Sequence, residues 1–193
     1  MEYKNLVTKQ QKQQWGSYSD RRNNFDDDGD IIAFKTLCCK NKDLMDYIKK
    51  YLPKGDYKWV SKPDGNYGVD MGVLNEDTGE ICLTMDLERW SQWKEDWPSY
   101  YRYLHFLGRK DKFLEKDIPF IMVFLNYNQD KVILLDKGTL NRYETREKYF
   151  SHKNCNDMVK EIPMKDGYVF GSNITDRELN NFRTVSDRIV YGI

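Results

Sequence analysis

The stretch that decides the fold is NYGVDMGVLNEDTGEICLTMDLER, residues 66–89. Apolar side chains alternate with small or polar ones in residues 66–74 and again in residues 80–89, and this period of two predicts two β-strands. Between the strands lies a polar segment that ends in Gly79, and glycine can adopt the left-handed conformation that a short hairpin loop needs. We therefore expect an antiparallel hairpin with one apolar face.

Three acidic side chains lie on the other face of this predicted hairpin, namely Asp70 on the first strand and Asp86 and Glu88 on the second. A loop of residues 77–79 places Asp70 opposite Asp86. Like charges across a strand pair destabilise a sheet unless a cation neutralises them. Because Mg²⁺ and Mn²⁺ prefer carboxylate oxygens, the pattern predicts a Mg²⁺ or Mn²⁺ site. The alternative is a solvated sheet face, acidic by chance in a chain of which 32% is charged.

The pattern of Asp70 followed by Asp86-Leu87-Glu88 resembles the PD-(D/E)xK nuclease superfamily, in which an acid near the end of one strand and an acid-x-Lys on the next hold metal ions. The resemblance covers about residues 43–136 in element order. It implies a restriction-endonuclease-like fold and metal-dependent hydrolysis of DNA. The metal ligands that it implies are Asp70, Asp86, Glu88 and the backbone carbonyl of Leu87. Glu88 stands where the family usually has lysine.

Basic residues follow the hairpin, at the start of a predicted helix over residues 107–116. Some members of the superfamily supply the lysine from a following helix, and the candidate here is Lys110, which would stabilise the transition state electrostatically. Arg109 and Lys112 are candidates for phosphate contacts, and Lys94 is a further one. The alternative is a solvated basic turn that forms ordinary surface ion pairs.

Composition restricts the class of protein. The chain of 193 residues is long enough for one domain, which we place at residues 31–193 after a polar arm or loop at residues 1–30. Its formal net charge is +0, so DNA binding would require segregated charge. The 4 cysteines form no C-x-x-C pair and there are only 2 histidines, which indicates reduced thiols and argues against zinc.

Location and assembly are indicated by simpler signals. The polar start does not resemble a signal peptide, and no apolar run is long enough to span a membrane. We therefore expect a cytoplasmic protein. Alanine is scarce while Tyr, Asn and Lys are frequent, a bias typical of the AT-rich genomes of many phages, so the host cytoplasm is the expected location for a phage protein. Whether the protein forms a homodimer is left open.

The other elements are predicted from periodicity and turn residues. They are a helix over residues 43–52, a strand over residues 57–60, a second hairpin from residues 118–126 and 131–136, a surface excursion over residues 141–160, and a C-terminal helix that opens with a capping box at Thr175 and carries Leu179, Phe182, Val185 and Ile189 inward. This order predicts an α/β fold in which a mixed sheet is flanked by helices.

An unusual density of aromatic residues follows the first hairpin. Their spacing partly fits a helical stripe that packs in the core. The functional alternative is a channel in which bases of single-stranded or flayed DNA stack on exposed rings. The residues concerned are Trp90, Trp93, Trp97, Tyr100, Tyr101 and Tyr103.

The sequence therefore favours a metal-dependent DNA endonuclease. Two alternatives remain open, a catalytically inactive nuclease-fold protein that binds DNA or a protein, and a viral structural or interaction module with an aromatic binding surface. The sequence pairs no Ser or Cys nucleophile with His and has no glycine-rich phosphate loop, so covalent catalysis and nucleotide triphosphate hydrolysis are disfavoured.

Overall fold

The computed structural model describes residues 27–65, 68–151 and 153–186. The helices are α1 (Asp27–Lys40), α2 (Lys42–Lys49), α3 (Lys112–Glu115), α4 (Lys137–Leu140) and α5 (Asp176–Asn181), with 3₁₀ turns at Gly108–Lys110 and Met164–Asp166. The strands are β1 (Tyr57–Ser61), β2 (Met71–Asn75), β3 (Ile81–Trp90), β4 (Tyr103–Leu107), β5 (Phe120–Asn126), β6 (Lys131–Asp136), β7 (Arg146–Phe150), β8 (Cys155–Pro163) and β9 (Tyr168–Gly171).

The strands form two sheets. The larger sheet has six strands in the order β1-β2-β3-β5-β6-β9, and the smaller has three in the order β4-β8-β7. In the larger sheet β3 and β5 run parallel, whereas the other neighbours are antiparallel. The protein is therefore an α/β protein with a mixed sheet, as the sequence predicts.

The centre of the large sheet forms from the most apolar strands. Every residue of β5 is buried, as are all but the last of β6, because residues 120–125 and 132–135 are apolar on both faces. The second predicted hairpin is therefore confirmed. Strand β1 and helix α2 also lie where the sequence predicts them, and α2 begins after Asn41, whose side chain accepts a hydrogen bond from the Leu44 N–H.

The two faces of the large sheet are covered differently. Helices α1 and α2 pack on one face, where Phe34 and Leu44 contact a core that includes Met85. The opposite face packs against the small sheet through residues such as Phe106 and Phe124. The two longest described helices thus lie on one side of the sheet, whereas the other side is closed by strands, short helical turns and the aromatic segment that connects β3 to β4.

The region between residues 141 and 160 differs from expectation. The sequence predicts a charged surface excursion, but β7 and most of β8 occupy it and pair with each other and with β4. Val159 and Ile162 are buried, so the strand is fixed by its few apolar residues despite the charges between them. The predicted helix over residues 107–116 is also wrong in part, since a 3₁₀ turn at Gly108–Lys110 precedes a single helical turn, α3.

Both ends of the domain differ from the prediction as well. Helix α1 begins at Asp27, so the last residues of the predicted polar arm belong to the fold, and residues 1–26 lie outside the described part. The capping box at Thr175 is confirmed, but α5 ends at Asn181 and Leu179 is exposed rather than inward. Ile189 lies outside the described residues. Within the described ranges, no helix has the length and apolar character needed to cross a membrane.

Candidate active site

The hairpin of β2 and β3 has the predicted register where it matters for the site. Met71 pairs with Met85, which is the alignment that sets Asp70 against Asp86, and a bulge changes the register only near the loop, after Val73. Strand β2 starts at Met71, so Asp70 lies just before it and not within a strand; the predicted strand residues 66–67 fall outside the described part.

Asp70 nevertheless contacts the second strand of the hairpin. Its Oδ2 accepts a hydrogen bond of 2.8 Å from the Leu87 N–H. This bond attaches the Asp70 carboxylate to the peptide between Asp86 and Leu87, next to the proposed ligands on β3. A hydrogen bond from a backbone N–H to a carboxylate is charge-assisted, and it holds the Asp70 side chain in position.

The two acids of β3 converge on one lysine. Lys110 Nζ lies 2.6 Å from Asp86 Oδ2 and 3.1 Å from Glu88 Oε2. The side chains of Lys110 and Asp86 are 12% and 8% exposed, whereas that of Glu88 is 34% exposed. The site is therefore a largely buried charge cluster that reaches solvent at Glu88.

The chain delivers Lys110 to this position through a tight turn. Strand β4 ends at Leu107 and a 3₁₀ turn follows, closed by the Asp111 N–H donating to the Gly108 carbonyl at 3.0 Å. A Cβ at Gly108 would lie 2.8 Å from the Cβ of Met158 and 2.9 Å from a methyl carbon of Thr145. Only glycine allows this close packing of the turn on β8, which directs Lys110 toward β3.

Lys110 remains charged at any physiological pH. Burial alone would lower the pKa of Lys110, but the charges of Glu88 and Asp86 and the hydrogen bonds to them outweigh it, so the pKa is raised. The cluster then has two carboxylates against one ammonium. One negative charge remains in excess, and a cation or an additional donor is electrostatically favoured there.

A second polar group lies on the small sheet and includes His105, whose pKa is influenced by the charge of Glu88. His105 of β4 pairs with Glu161 of β8, and its Nε2 lies 3.5 Å from the Glu161 carboxylate. Lys148 of β7 contacts both, with Nζ 3.2 Å from His105 Nε2. His105 Nε2 thus lies near a donor, the Lys148 ammonium, and an acceptor, the Glu161 carboxylate.

His105 is neutral at neutral pH. Burial and then the nearby charge of Lys148 lower its pKa, against the opposing influence of Glu161 and Glu88. Sequence reasoning missed this group, because it did not resolve β4 within the aromatic segment and treated residues 141–160 as surface. The signal present in the sequence is the alternation of buried and polar residues in YLHFL, residues 103–107.

The other predicted basic residues lie at the surface. Arg109 is exposed beside Lys110, and Lys112 is also exposed, with its Nζ 5.0 Å from the centroid of the Phe113 ring. Lys94 is exposed in the segment after β3, with Nζ 5.8 Å from the Tyr127 ring centroid. Asp86 and Glu88 form their ion pairs with Lys110, so the predicted phosphate contacts of the other three would be made from the surface.

The aromatic segment divides into buried and exposed parts. Trp93 and Trp97 are fully buried, which agrees with the packing interpretation for these two residues. The Trp93 indole N–H donates to Glu178 at 2.6 Å, and the Trp97 indole N–H donates to the Tyr101 carbonyl at 3.1 Å. Tyr100 and Tyr103, in contrast, are exposed.

The carboxylate oxygens of the cluster are donors of the type that a hard cation prefers, but they do not surround a single position. In the part of the chain that the structure describes, no group of three or more His, Cys, Asp or Glu side chains is placed to hold a metal ion. The Asp86 and Glu88 oxygens are ligands that Mg²⁺ prefers, and this ion usually takes only one or two carboxylates from the protein. Asp86 and Glu88, with Asp70 nearby, thus offer the type of donor that Mg²⁺ takes, while the Lys110 ammonium contacts both carboxylates.

No protein-family model matches this chain, and no match is found among curated proteins either. Its function is therefore inferred from the chemistry of the site.

Proposed function

We propose that the protein is a metal-dependent DNA endonuclease of the PD-(D/E)xK type. The observation that carries this proposal is the convergence of Asp86, Glu88 and Lys110, in which the lysine comes from the segment after the hairpin. Lys110 would thus replace the lysine that the resemblance expects at position 88. A solvated basic turn with ordinary surface ion pairs would leave Lys110 exposed, whereas Lys110 is buried between two acids.

The order of the elements supports the same proposal. Helix α2 precedes three antiparallel strands, and the connection after β3 leads to β5, which lies parallel to β3 in the sheet. The strand order agrees with what the resemblance implies, but the expected helical connection is replaced by β4, a 3₁₀ turn and the single turn α3. Fold agreement does not by itself give function, so the proposal depends on the charge cluster.

Mg²⁺ or Mn²⁺ would be held by Asp86 and Glu88, with Asp70 and the backbone carbonyl of Leu87 beside them. The ion would lower the pKa of a bound water and neutralise charge on the phosphate. Lys110 would supply a permanent positive charge to the phosphate as it gains negative charge in the transition state. Glu88, the more exposed acid, is positioned to orient water that enters from solvent.

The same geometry favours one alternative, a nuclease-fold protein that binds DNA without cutting it. The Lys110 ammonium already neutralises part of the carboxylate charge, as a structural lysine in a decayed metal site would. In that case the cluster would stabilise the fold and have no catalytic role. The two functions differ in whether DNA is cleaved and in whether a divalent ion binds.

Cleavage of supercoiled plasmid tests the proposal. The wild-type protein should nick or linearise the plasmid with Mg²⁺ or Mn²⁺ and should be inactive with EDTA. Asp86→Asn and Lys110→Met should each lower the rate about 100-fold or more, because each removes charge from the centre of the site. Glu76→Gln, an exposed acid in the hairpin loop, serves as the matched control and should leave the rate unchanged.

The result that removes the nuclease proposal is equally clear. If wild-type protein shows no metal-dependent cleavage, or if Asp86→Asn cuts as fast as Glu76→Gln, then the cluster is not an active site. DNA binding that persists in either case would favour the inactive alternative.

A further inference from the structure

Two exposed rings and one exposed cation lie within four consecutive residues just before and at the start of β4. Tyr100 and Tyr103 are 68% and 42% exposed, and Arg102 between them is exposed as well. Large aromatic side chains are costly to expose, and their grouping on a surface commonly marks a binding site. We call residues 100–103 the aromatic strip.

The strip is fixed to the core through a series of ring contacts. Tyr100 contacts Tyr101 with ring centroids 4.8 Å apart, and Tyr101 contacts Trp90 at 5.0 Å. Trp90 in turn stacks on the fully buried Trp97, with centroids 5.0 Å apart and an interplanar angle of 26°. The exposed end of this series is therefore held in place, which reduces the entropy lost when a ligand stacks on it.

The strip is connected to the candidate active site by two strands. Trp90 lies on β3 on the same face as Glu88, two positions further along, which is a distance of about 7 Å. Tyr103 shares a face of β4 with His105, and the charge of Glu88 reaches His105. The strip therefore approaches the site through the contact of Tyr101 with Trp90, two residues from Glu88 on β3.

Charge indicates what kind of ligand the strip suits. Arg102 has no carboxylate within ion-pairing distance among the described residues, and it lies between the two exposed tyrosines in sequence. Unpaired guanidinium groups bind phosphate strongly and in a defined geometry. Alternation of rings with a cation is the arrangement by which proteins bind single-stranded nucleic acid, since bases stack on the rings and the backbone contacts the cation.

We infer that the aromatic strip binds an unpaired DNA strand, with bases stacked on Tyr100 and Tyr103 and a phosphate on Arg102. The inference rests on the proposed function and specifies its substrate, which is DNA with an unpaired segment, such as the locally opened regions of a supercoiled plasmid, rather than relaxed continuous duplex. In a duplex the faces of the bases are covered by their neighbours and cannot stack on Tyr100 or Tyr103. An unpaired strand exposes those faces.

Fluorescence anisotropy with labelled oligonucleotides tests the inference without requiring cleavage. Binding is measured in EDTA to a single-stranded oligothymidine and to a blunt duplex of equal length. The wild-type protein should bind the single strand at least about tenfold more tightly. Tyr100→Ala and Tyr103→Ala should each weaken that binding about fivefold to 100-fold, which corresponds to loss of one stacked base, while Tyr100→Phe should retain it. Arg102→Ala should lower the slope of log Kd against log salt concentration by about 0.7, which is the contribution of one contact to a single-strand phosphate.

The control is Tyr149→Ala, which removes another exposed tyrosine of the small sheet. Tyr149 pairs with Asn156 on β8, whereas Tyr103 pairs with Pro163, so the two tyrosines project from opposite faces of the small sheet. This variant should bind like wild type. Equal binding of single strand and duplex, or unchanged affinity in Tyr100→Ala, would overturn the inference.

The two proposals fail in different ways. A protein that cuts plasmid but binds duplex as well as single strand retains the nuclease proposal and loses the strip. Single-strand binding that depends on Tyr100, in a protein that never cleaves, retains the strip as a binding surface and removes the catalytic role of the cluster.

Discussion

Replacing Lys110 by methionine is the perturbation that most clearly reveals the charge balance of the candidate site. Methionine retains much of the apolar length of the side chain, so the change removes the ammonium and little packing. The Asp86 carboxylate, with a side chain only 8% exposed, would then lie beside Glu88 without its 2.6 Å partner.

The size of the effect follows from the burial of the three groups. Removing one partner of a buried ion pair costs about 3–5 kcal/mol. Glu88 is 34% exposed and water can solvate it, so we expect a somewhat smaller loss, about 2–4 kcal/mol. For a protein of this length that loss corresponds to a decrease in Tm of about 4–16 °C.

Urea denaturation followed by tryptophan fluorescence, with and without Mg²⁺, measures this change. In Lys110→Met, Mg²⁺ should restore part of the lost stability, because a cation that binds only the folded state stabilises it. Arg109→Met, an exposed neighbour, is the control and should change stability by less than about 0.5 kcal/mol. A Lys110→Met protein that matches this control would refute the reasoning, since the lysine would then not compensate buried charge.

Three further predictions concern other charged groups. Lys131→Met should destabilise the protein by about 3–5 kcal/mol in urea denaturation, because Lys131 and Glu178 form a pair at 2.8 Å with side chains 2% and 0% exposed; a loss below about 1 kcal/mol would contradict it. The lowered pKa of His105 favours its neutral form in the folded protein. The contribution of His105 to the free energy of unfolding is therefore complete above about pH 6.5 and is lost as the pH falls through the lowered pKa. His105→Gln should make Tm less dependent on pH between about 5 and 7, and an unchanged pH profile would show that His105 is not perturbed. Asp30→Ala should cost about 2–4 kcal/mol, because it leaves Arg89, a largely buried partner, without this carboxylate; thermal unfolding unchanged from wild type would exclude that role.

Much of the fold can be predicted from the sequence because its patterns are local. The alternation in residues 80–89 defines β3, and the apolar runs of β5 and β6 define the buried centre of the sheet. The capping box at Thr175 marks the start of α5 through contacts over only three residues. In each case neighbouring residues carry the whole signal.

The small sheet could not be predicted in the same way. Strand β7 reads REKYF and is charged or exposed at most positions, so its pairing with β8 depends on distant residues. The start of α1 could not be predicted from the local sequence either, because consecutive aspartates suggest a turn. In the structure Asp30 belongs to the helix and is buried beside Arg89 of β3. Such pairs between residues far apart in sequence leave no periodic trace.

The sequence indicates the residues of the site better than their arrangement. It predicts that Asp86, Glu88 and Lys110 act together, and their side chains do lie together. It places Asp70 within a strand opposite Asp86; the register agrees, but Asp70 precedes β2 and its carboxylate accepts a hydrogen bond from the Leu87 N–H. The position of Asp70 depends on where β2 begins, and periodicity does not determine strand ends.

The most direct test of the central claim is the binding of Mn²⁺, measured by isothermal titration and by electron paramagnetic resonance of the bound ion. The account predicts that wild-type protein and Glu76→Gln bind Mn²⁺ at the site, and that Asp86→Asn weakens this binding about tenfold or more, since it removes a charged ligand. If Asp86→Asn binds Mn²⁺ as tightly as the other two, or if no ion binds the wild-type protein, then these carboxylates serve only as partners of Lys110 and the metal-dependent nuclease account is contradicted.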